Sequence, residues 1–452
     1  MGNSIKEREQ FSSHIGFVLA CTGSAVGMGN IWRFPIMISN YGGLTFLIPY
    51  LIFVALIAKT GVMEEFAFGR AAMGGPVDAF GMAMETKGKR KLGELIGAIP
   101  VLGSLGLAIG YTVVMGWITK YTYMSFSGEL YSMGSDMDAI GGTFGTTASA
   151  GGADSWIIII AMLTFVILAI GVSDGIERIN KILMPALFVL FVILAVYIAF
   201  LPGASEGYRY IFTLDPKAMI NPELLVFAFG QAFFSLSVAG NGSIIYGSYL
   251  PKNESVVKAA NRVAIFDTIA AVLATLVILP AMAAVLGEKP ESGGPGLMFI
   301  YLVKVFNEMP LGRIIGVVFF VGVFFAGISS IINLYEVSVA HIYERTKLVK
   351  HNEKGRALAS GVIIAVGAFA AILIQAITSQ WMDAVSIYIC PLGAALAGIM
   401  FFWVLGKDFA IRETSMGSDK KLGDAYYYAG KYVYCILAVV ALIAGAMLGG
   451  IG

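Results

Sequence analysis

Two short stretches of this chain carry groups able to hold a charged ligand inside otherwise apolar surroundings. Gly23-Ser24-Ala25-Val26-Gly27-Met28-Gly29-Asn30 and Ser237-Val238-Ala239-Gly240-Asn241-Gly242-Ser243 each interrupt a long hydrophobic run with glycines and small polar residues. Glycine weakens a helix interior by about 1 kcal/mol relative to alanine, so several within two turns predict local unwinding. Unwound backbone leaves carbonyls and amides in a dry place, tolerated only where they line a cavity or hold a ligand. Half-helix ends add partial charges that suit anions and cations. The same glycines would also serve close helix packing. A third candidate is Asp267, set among Ile265, Phe266, Thr268 and Ile269. An ionised carboxylate there costs about 2.5–3.5 kcal/mol on insertion scales, so it needs either a cation or a proton with hydrogen bonds inside the protein.

Other chemistries have little to stand on. Cys21, Cys390 and Cys435 each lie in an apolar run without a CxxC pair, and read as small buried hydrophobes. His14, His341 and His351 are isolated, so neither a zinc site nor a histidine-based catalytic triad is expected, and an enzyme is the least favoured class. A net charge of +1, with basic residues scattered among short loops, argues against a nucleic-acid partner.

The elements that position these groups are membrane helices. Of 452 residues, 58% are hydrophobic and only 13% charged, far from a soluble domain's balance. About eleven apolar runs are long enough to cross a bilayer, near residues 14–37, 43–69, 92–124, 155–172, 180–201, 222–248, 257–286, 310–344, 357–377, 383–406 and 430–450. Helices satisfy their own backbone in lipid, so the fold class is an all-α membrane protein. The polar stretch from Met1 to Gln10 leads into a first span read as retained, not as a signal peptide. With the N-terminus cytoplasmic, roughly 22 basic residues face inward against roughly 6 outward, which fixes the expected orientation. The longest outer connections, near 125–154 and 287–309, are rich in Gly, Ser and Pro and are expected as turn-forming loops. Lys59, inside the second span, has no evident role.

The two breaks fall in the first and sixth spans, corresponding positions of two five-span halves. Paired interruptions of this kind point to a transporter's binding site. The expected organisation is a gate segment at 1–13, a first repeat at 14–201, an inverted second repeat at 222–406, and an additional span at 430–450.

At this point the residues resemble a known family. Gly-Ser-Ala-Val-Gly-Met-Gly-Asn-Ile-Trp-Arg-Phe-Pro at 23–35 with Tyr-Gly-Gly at 41–43, Gly-Gln-Ala-Phe-Phe-Ser-Leu-Ser at 230–237 with Tyr-Gly-Ser-Tyr at 246–249, and Phe-Phe-Ala-Gly-Ile-Ser-Ser at 324–330 are similar to the first-, sixth- and eighth-helix signatures of the neurotransmitter:sodium symporter family, bacterial amino-acid branch. The resemblance implies two sodium sites. One would use the Ala25 carbonyl, Asn30, Ser235, Asp267 and the substrate carboxylate. The other would use the carbonyls of Gly23, Val26 and Ala326 with the hydroxyls of Ser329 and Ser330. Hard cations take oxygen ligands, which agrees. Asp267 stands where chloride-requiring members carry Asn, which implies chloride-independent transport.

Gly27 stands where monoamine carriers have Asp, which favours an α-amino acid over an amine. Tyr111 resembles the tyrosine that binds the substrate carboxylate, with the amides of Ala25 and Gly29 adding donors. The side-chain pocket is expected from Leu107, Phe234, Ser237, Gly240, Ser330 and Leu334. Gly240 replaces a phenylalanine of a leucine-carrying member, which opens room for a bulky apolar or aromatic side chain, although Asn241 beside it could fill that room.

Arg33 and Asp383 resemble an outer gate pair, with Phe234 as a lid and Gln231 beside it. Arg8 and Glu344 resemble an inner one, with Phe11 where the family carries tryptophan and Tyr249 nearby. Glu65 resembles a buried acid supporting the broken sixth helix. The expected function is sodium-coupled amino-acid uptake by alternating access, in a bacterial or archaeal plasma membrane. Proton coupling through Asp267, or a substrate-sensing receptor, are the alternatives; the oligomeric state is not written in the sequence.

Overall fold

The computed structural model describes residues 9–238, 242–287, 294–345 and 352–450. Among the described residues the chain is helical throughout, without a strand. Helices long and apolar enough to cross a membrane are Gly43–Ala72, Arg90–Ser127, Val172–Ala199, Val256–Leu286, Gly312–Arg345, Glu353–Val404 and Asp424–Leu448. The bent pair His14–Ala25 and Gly29–Tyr41 forms another crossing, and Asp154–Ile170 and Pro222–Ser235 are shorter apolar helices. Glu353–Val404 runs for 52 residues, about 78 Å at helical rise and over twice a hydrocarbon core. The 3-10 turn Gln375–Ile377 divides it into two. Each apolar segment read from the sequence thus coincides with helix, and they are called spans 1 to 11 in chain order.

Burial sorts the spans into centre and rim. The most apolar window is 78% buried in span 3 and 67% in span 8, but only 28% in spans 5 and 11. The exposed faces of the rim spans are themselves apolar. On span 9, Leu358, Val362, Val366, Phe369 and Leu373 recur at helical spacing and all stand exposed, a stripe suited to lipid. Lys59 projects from the exposed side of a wide turn, Ala58–Val62, within span 2.

Spans 2 and 6 approach at backbone distance. A Cβ on Gly69 would fall 1.8 Å from the Ile244 carbonyl oxygen, and one on Gly247 would fall 2.4 Å from that of Phe66. Reciprocal glycines thus pin the second half of span 6, Gly242–Ser248, to span 2.

The long connections differ from expectation. Residues 125–154 contain the helix Met137–Ala148, N-capped by the Asp136 side chain, and 287–309 contain the helix Leu302–Glu308 with a helical turn before it. Their glycines suggested loops, but Phe144 and Phe299 stack at 5.0 Å and both reach Trp117 and Tyr121 of span 3. Burial of those rings outweighs weak local propensity. Pro76–Glu85, between spans 2 and 3, is a further helix that the span pattern did not reveal.

Candidate functional site

Span 1 stops at Ala25 and resumes at Gly29, with 56° between the two halves. Val26 is extended, at φ −73° and ψ 105°. Asn30 caps the gap: its Oδ1 accepts from the Gly27 amide at 3.0 Å, while its own amide donates to the Gly27 carbonyl at 3.1 Å. In span 6 the helix ends at Ser235, and Ser237 adopts a left-handed φ of 56°. Gly240 and Asn241 lie outside the described residues. The two breaks face each other, because the Ser237 hydroxyl donates to the Ser24 carbonyl at 2.8 Å and Gln231 Nε2 donates to that of Gly29 at 3.3 Å. Gln231, read as part of a gate, ties span 6 to the backbone of the span 1 gap.

A cavity opens between the breaks and spans 3 and 8. Ala25, Gly27, Gly29, Leu107, Tyr111, Phe234, Ser237, Ser330 and Leu334, all expected, line it together with Asn30 and Ser235. Ser24 lines it too and was not singled out, although it sits in the same glycine-rich run. A Cβ on Gly27 would stand 2.9 Å from the Ser330 hydroxyl and 3.1 Å from the Tyr111 hydroxyl. Position 27 therefore admits no side chain without displacing one of these groups. The Phe234 ring lies 3.1 Å from where a Gly29 Cβ would be, which places it against the resumed half of span 1.

Beside the cavity, Asn30 Nδ2 donates to Asp267 Oδ1 at 2.7 Å and to Ser235 Oγ at 3.1 Å, and Ser235 Oγ donates to Asp267 Oδ2 at 2.7 Å. All three side chains are buried, so Asp267 is held within a closed polar triad on spans 1, 6 and 7.

On the other side of the gap, the Ser330 hydroxyl lies 3.1 Å from the Gly23 carbonyl, 3.0 Å from that of Val26 and 3.2 Å from that of Ala326. One hydroxyl hydrogen can serve only one of these acceptors well. Three carbonyl oxygens therefore converge with surplus lone pairs, a donor set that fits a small hard cation. Ser329 differs from expectation in its present rotamer, because its hydroxyl donates to Phe325 and Ala326 within its own helix. It is Ser330 that bridges to span 1.

The two gate pairs read from sequence have different fates. Arg33 and Asp383 make no ion pair among the described residues, although Asp383 acts on the guanidinium, whose Nε lacks a hydrogen-bond partner. Arg8 lies outside the described residues, so the Arg8–Glu344 pairing has no geometry. Phe11 is buried and meets Phe17, Tyr246 and Tyr249 edge-on.

The face of the bundle that carries the N-terminal segment is instead locked by a set of residues of which only Tyr249 was foreseen. Arg356 pairs with Glu9 at 3.2 Å and with Glu336 at 2.9 Å, and the Tyr249 hydroxyl donates to Glu336 at 2.5 Å. Glu177 accepts from the Ser12 amide at 2.6 Å and from the Ser12 and Ser13 hydroxyls at 2.8 Å. His14 Nδ1 lies 2.7 Å from Glu254. The one clue in the sequence was Glu336, an acid inside the apolar run of span 8.

The model of the sodium:neurotransmitter symporter family matches residues 8–136 and 143–448. An uncharacterized sodium-dependent transporter of Bacillus subtilis (strain 168), YhdH, is 31% identical, covering 96% of each chain. An uncharacterized sodium-dependent transporter of Methanocaldococcus jannaschii, MJ1319, is 32% identical over 98% of this chain and 92% of that protein. Among solved structures, MhsT in complex with L-phenylalanine is 33% identical with a TM-score of 0.81, over 97% of this chain and all of that one.

Proposed function

The chain belongs to the sodium:neurotransmitter symporter family and is a sodium-dependent, multi-pass membrane transporter; on that premise we propose that its cargo is an α-amino acid with a bulky apolar or aromatic side chain. The observation that carries this reading is the crowding at Gly27. With no side chain there, the Tyr111 hydroxyl, the Ser330 hydroxyl and the backbone of the gap face one small space. Phenol and amide donors suit a carboxylate. An amine would need an anion at this point, and position 27 has no room for one. Leu107, Phe234 and Leu334 supply an apolar wall for the rest of the molecule. The neighbouring structure with bound L-phenylalanine agrees in ligand class.

Two sodium ions accompany the amino acid in this proposal. Asn30, Ser235, Asp267 and the Ala25 carbonyl would hold one next to the substrate carboxylate. Gly23, Val26 and Ala326 carbonyls with Ser330, and Ser329 after a change of rotamer, would hold the other. Each set spans the break and a neighbouring helix, so ion binding favours the arrangement in which those elements are together. The N-terminus is taken as cytoplasmic. The contacts of Glu9, Ser12, Ser13 and His14 then close the inner side, while the unmade Arg33–Asp383 pair leaves the outer side free to open. Release inward requires the Arg356 and Glu177 contacts to part.

Labelled amino-acid uptake into proteoliposomes, with sodium replaced by choline and chloride by gluconate, tests the proposal. Concentrative uptake of phenylalanine or leucine that needs sodium and ignores chloride is expected. Uptake of equal size in sodium-free buffer driven by a pH gradient would overturn it in favour of proton coupling, and inhibition by glycine or alanine alone would overturn the assignment of a large cargo.

A further inference from the structure

Span 2 carries two adjacent acids, Glu64 and Glu65, that the transport site leaves unused. Both are fully buried, and among the described residues none of their four carboxyl oxygens has a hydrogen-bond partner. Neighbouring helix positions point about 100° apart. Glu65 is turned to Ser243, just past the break in span 6, while Glu64 acts on Tyr434 and Cys435 of span 11 and on Tyr426 before it. The Tyr434 hydroxyl is itself buried and without a partner, and it too feels both acids. That hydroxyl lies 2.9 Å from where a Cβ on Gly61, one turn before Glu64 on span 2, would be.

Among the described residues no basic side chain pairs with either acid. Arg70, one turn further on, is committed to Glu413 and to the carbonyls of Glu254 and Met416. On the packed helix Lys407–Ser415, Lys407 bonds Asp424 and Arg412 stacks on Phe409. At the start of span 7, Lys258 pairs with Asp419. Lys59 is on the exposed side of span 2. Two adjacent carboxylates without a counter-charge cannot both stay ionised at such a depth.

We propose that Glu64, together with Glu65 and the Tyr434 hydroxyl, forms a proton-binding site distinct from the sodium and substrate sites. Glu64 holds a proton as a carboxylic acid, with the unpartnered Tyr434 hydroxyl packed one turn away against Gly61. The site reaches the transport machinery through Glu65 and Ser243 and through the glycine contacts that pin Gly242–Ser248 to span 2. Charge on the pair is thereby felt where span 6 resumes after its break.

Infrared spectroscopy of the full chain in lipid nanodiscs at neutral pH tests this without reference to any cargo. The wild type should show a protonated-carboxyl stretch that Glu64→Gln removes and Tyr434→Phe shifts. Glu64→Asp keeps the acid on a shorter stem and should displace the band instead of deleting it, which serves if the glutamine variant does not fold. A wild type without such a band, or Glu64→Gln and Glu64→Asp spectra identical to it in the carboxyl region, overturns the proposal.

Discussion

Asn30 Nδ2 lies 2.7 Å from Asp267 Oδ1, so a single amide ties the buried acid of span 7 to the gap in span 1 that its own Oδ1 caps. Loss of the negative charge at Asp267 alters the site electrostatically while leaving a hydrogen-bonding group of the same size. Sodium-driven uptake by the wild type is expected to be unchanged when chloride is replaced by gluconate. Asp267→Asn is expected to lose most uptake in gluconate and regain a measurable part in chloride, read as initial rates in proteoliposomes.

Gly27→Ala tests the crowding at the substrate site. Its Cβ meets two hydroxyls at 2.9 and 3.1 Å, which must give way or admit less substrate. Overpacking of this kind costs about 1–3 kcal/mol, which corresponds to roughly tenfold or more in affinity. KM for the amino acid should rise by that factor, with a fall in thermal stability of no more than the same ~1–3 kcal/mol that overpacking costs. Gly27→Asp should abolish amino-acid uptake.

Ser330 and Ser329 differ in what they touch, and so should their alanine variants. Ser330→Ala removes the hydroxyl that joins spans 1 and 8 and is expected to raise the half-saturating sodium concentration roughly tenfold, about 1.4 kcal/mol of binding. Ser329→Ala, whose hydroxyl bonds only within span 8 here, is expected to leave thermal stability in sodium-free buffer nearly unchanged. Sodium titrations of thermal stability and of uptake read both.

Arg356 is the buried cation that Glu9 and Glu336 share. Removing one partner of a buried ion pair costs about 3–5 kcal/mol, because the other charge is left bare. Arg356→Ala should therefore lower the melting temperature and open the side that carries the N-terminal segment. In a background with Cys390 and Cys435 replaced by alanine, labelling of the buried Cys21 by a membrane-permeant thiol reagent should accelerate. Unchanged labelling with a lowered melting temperature would show that the pair supports stability alone.

The parts of the site that rest on backbone were the most legible in the sequence. Gly23, Gly27 and Gly29 announce the span 1 gap because glycine is costly in a helix, and Asn30 follows as the polar residue able to cap it. Tyr111 was not legible in that way. A tyrosine in an apolar run looks like any other, and only the resemblance to a family singled it out. Arg356 was not singled out, since a cation near the start of span 9 reads like any loop cation, yet it is 3% exposed. Its partner Glu336 lies on the preceding span and Glu9 at the other end of the chain, and one-dimensional spacing carries no trace of such a meeting. The helices within 125–154 and 287–309 were hidden for a related reason, because the aromatic contacts that stabilise them are made between the two connections.

The N-terminal segment is fastened by Glu9 to Arg356, by Phe11 to the Tyr249 backbone, and by Ser12 and Ser13 to Glu177. Anything fused directly ahead of Glu9 would pull on these fastenings. An affinity tag or fluorescent reporter there would bias which conformer is purified, whereas the same label after span 11, whose Ile436, Val440 and Ile443 face outward, would leave that balance undisturbed.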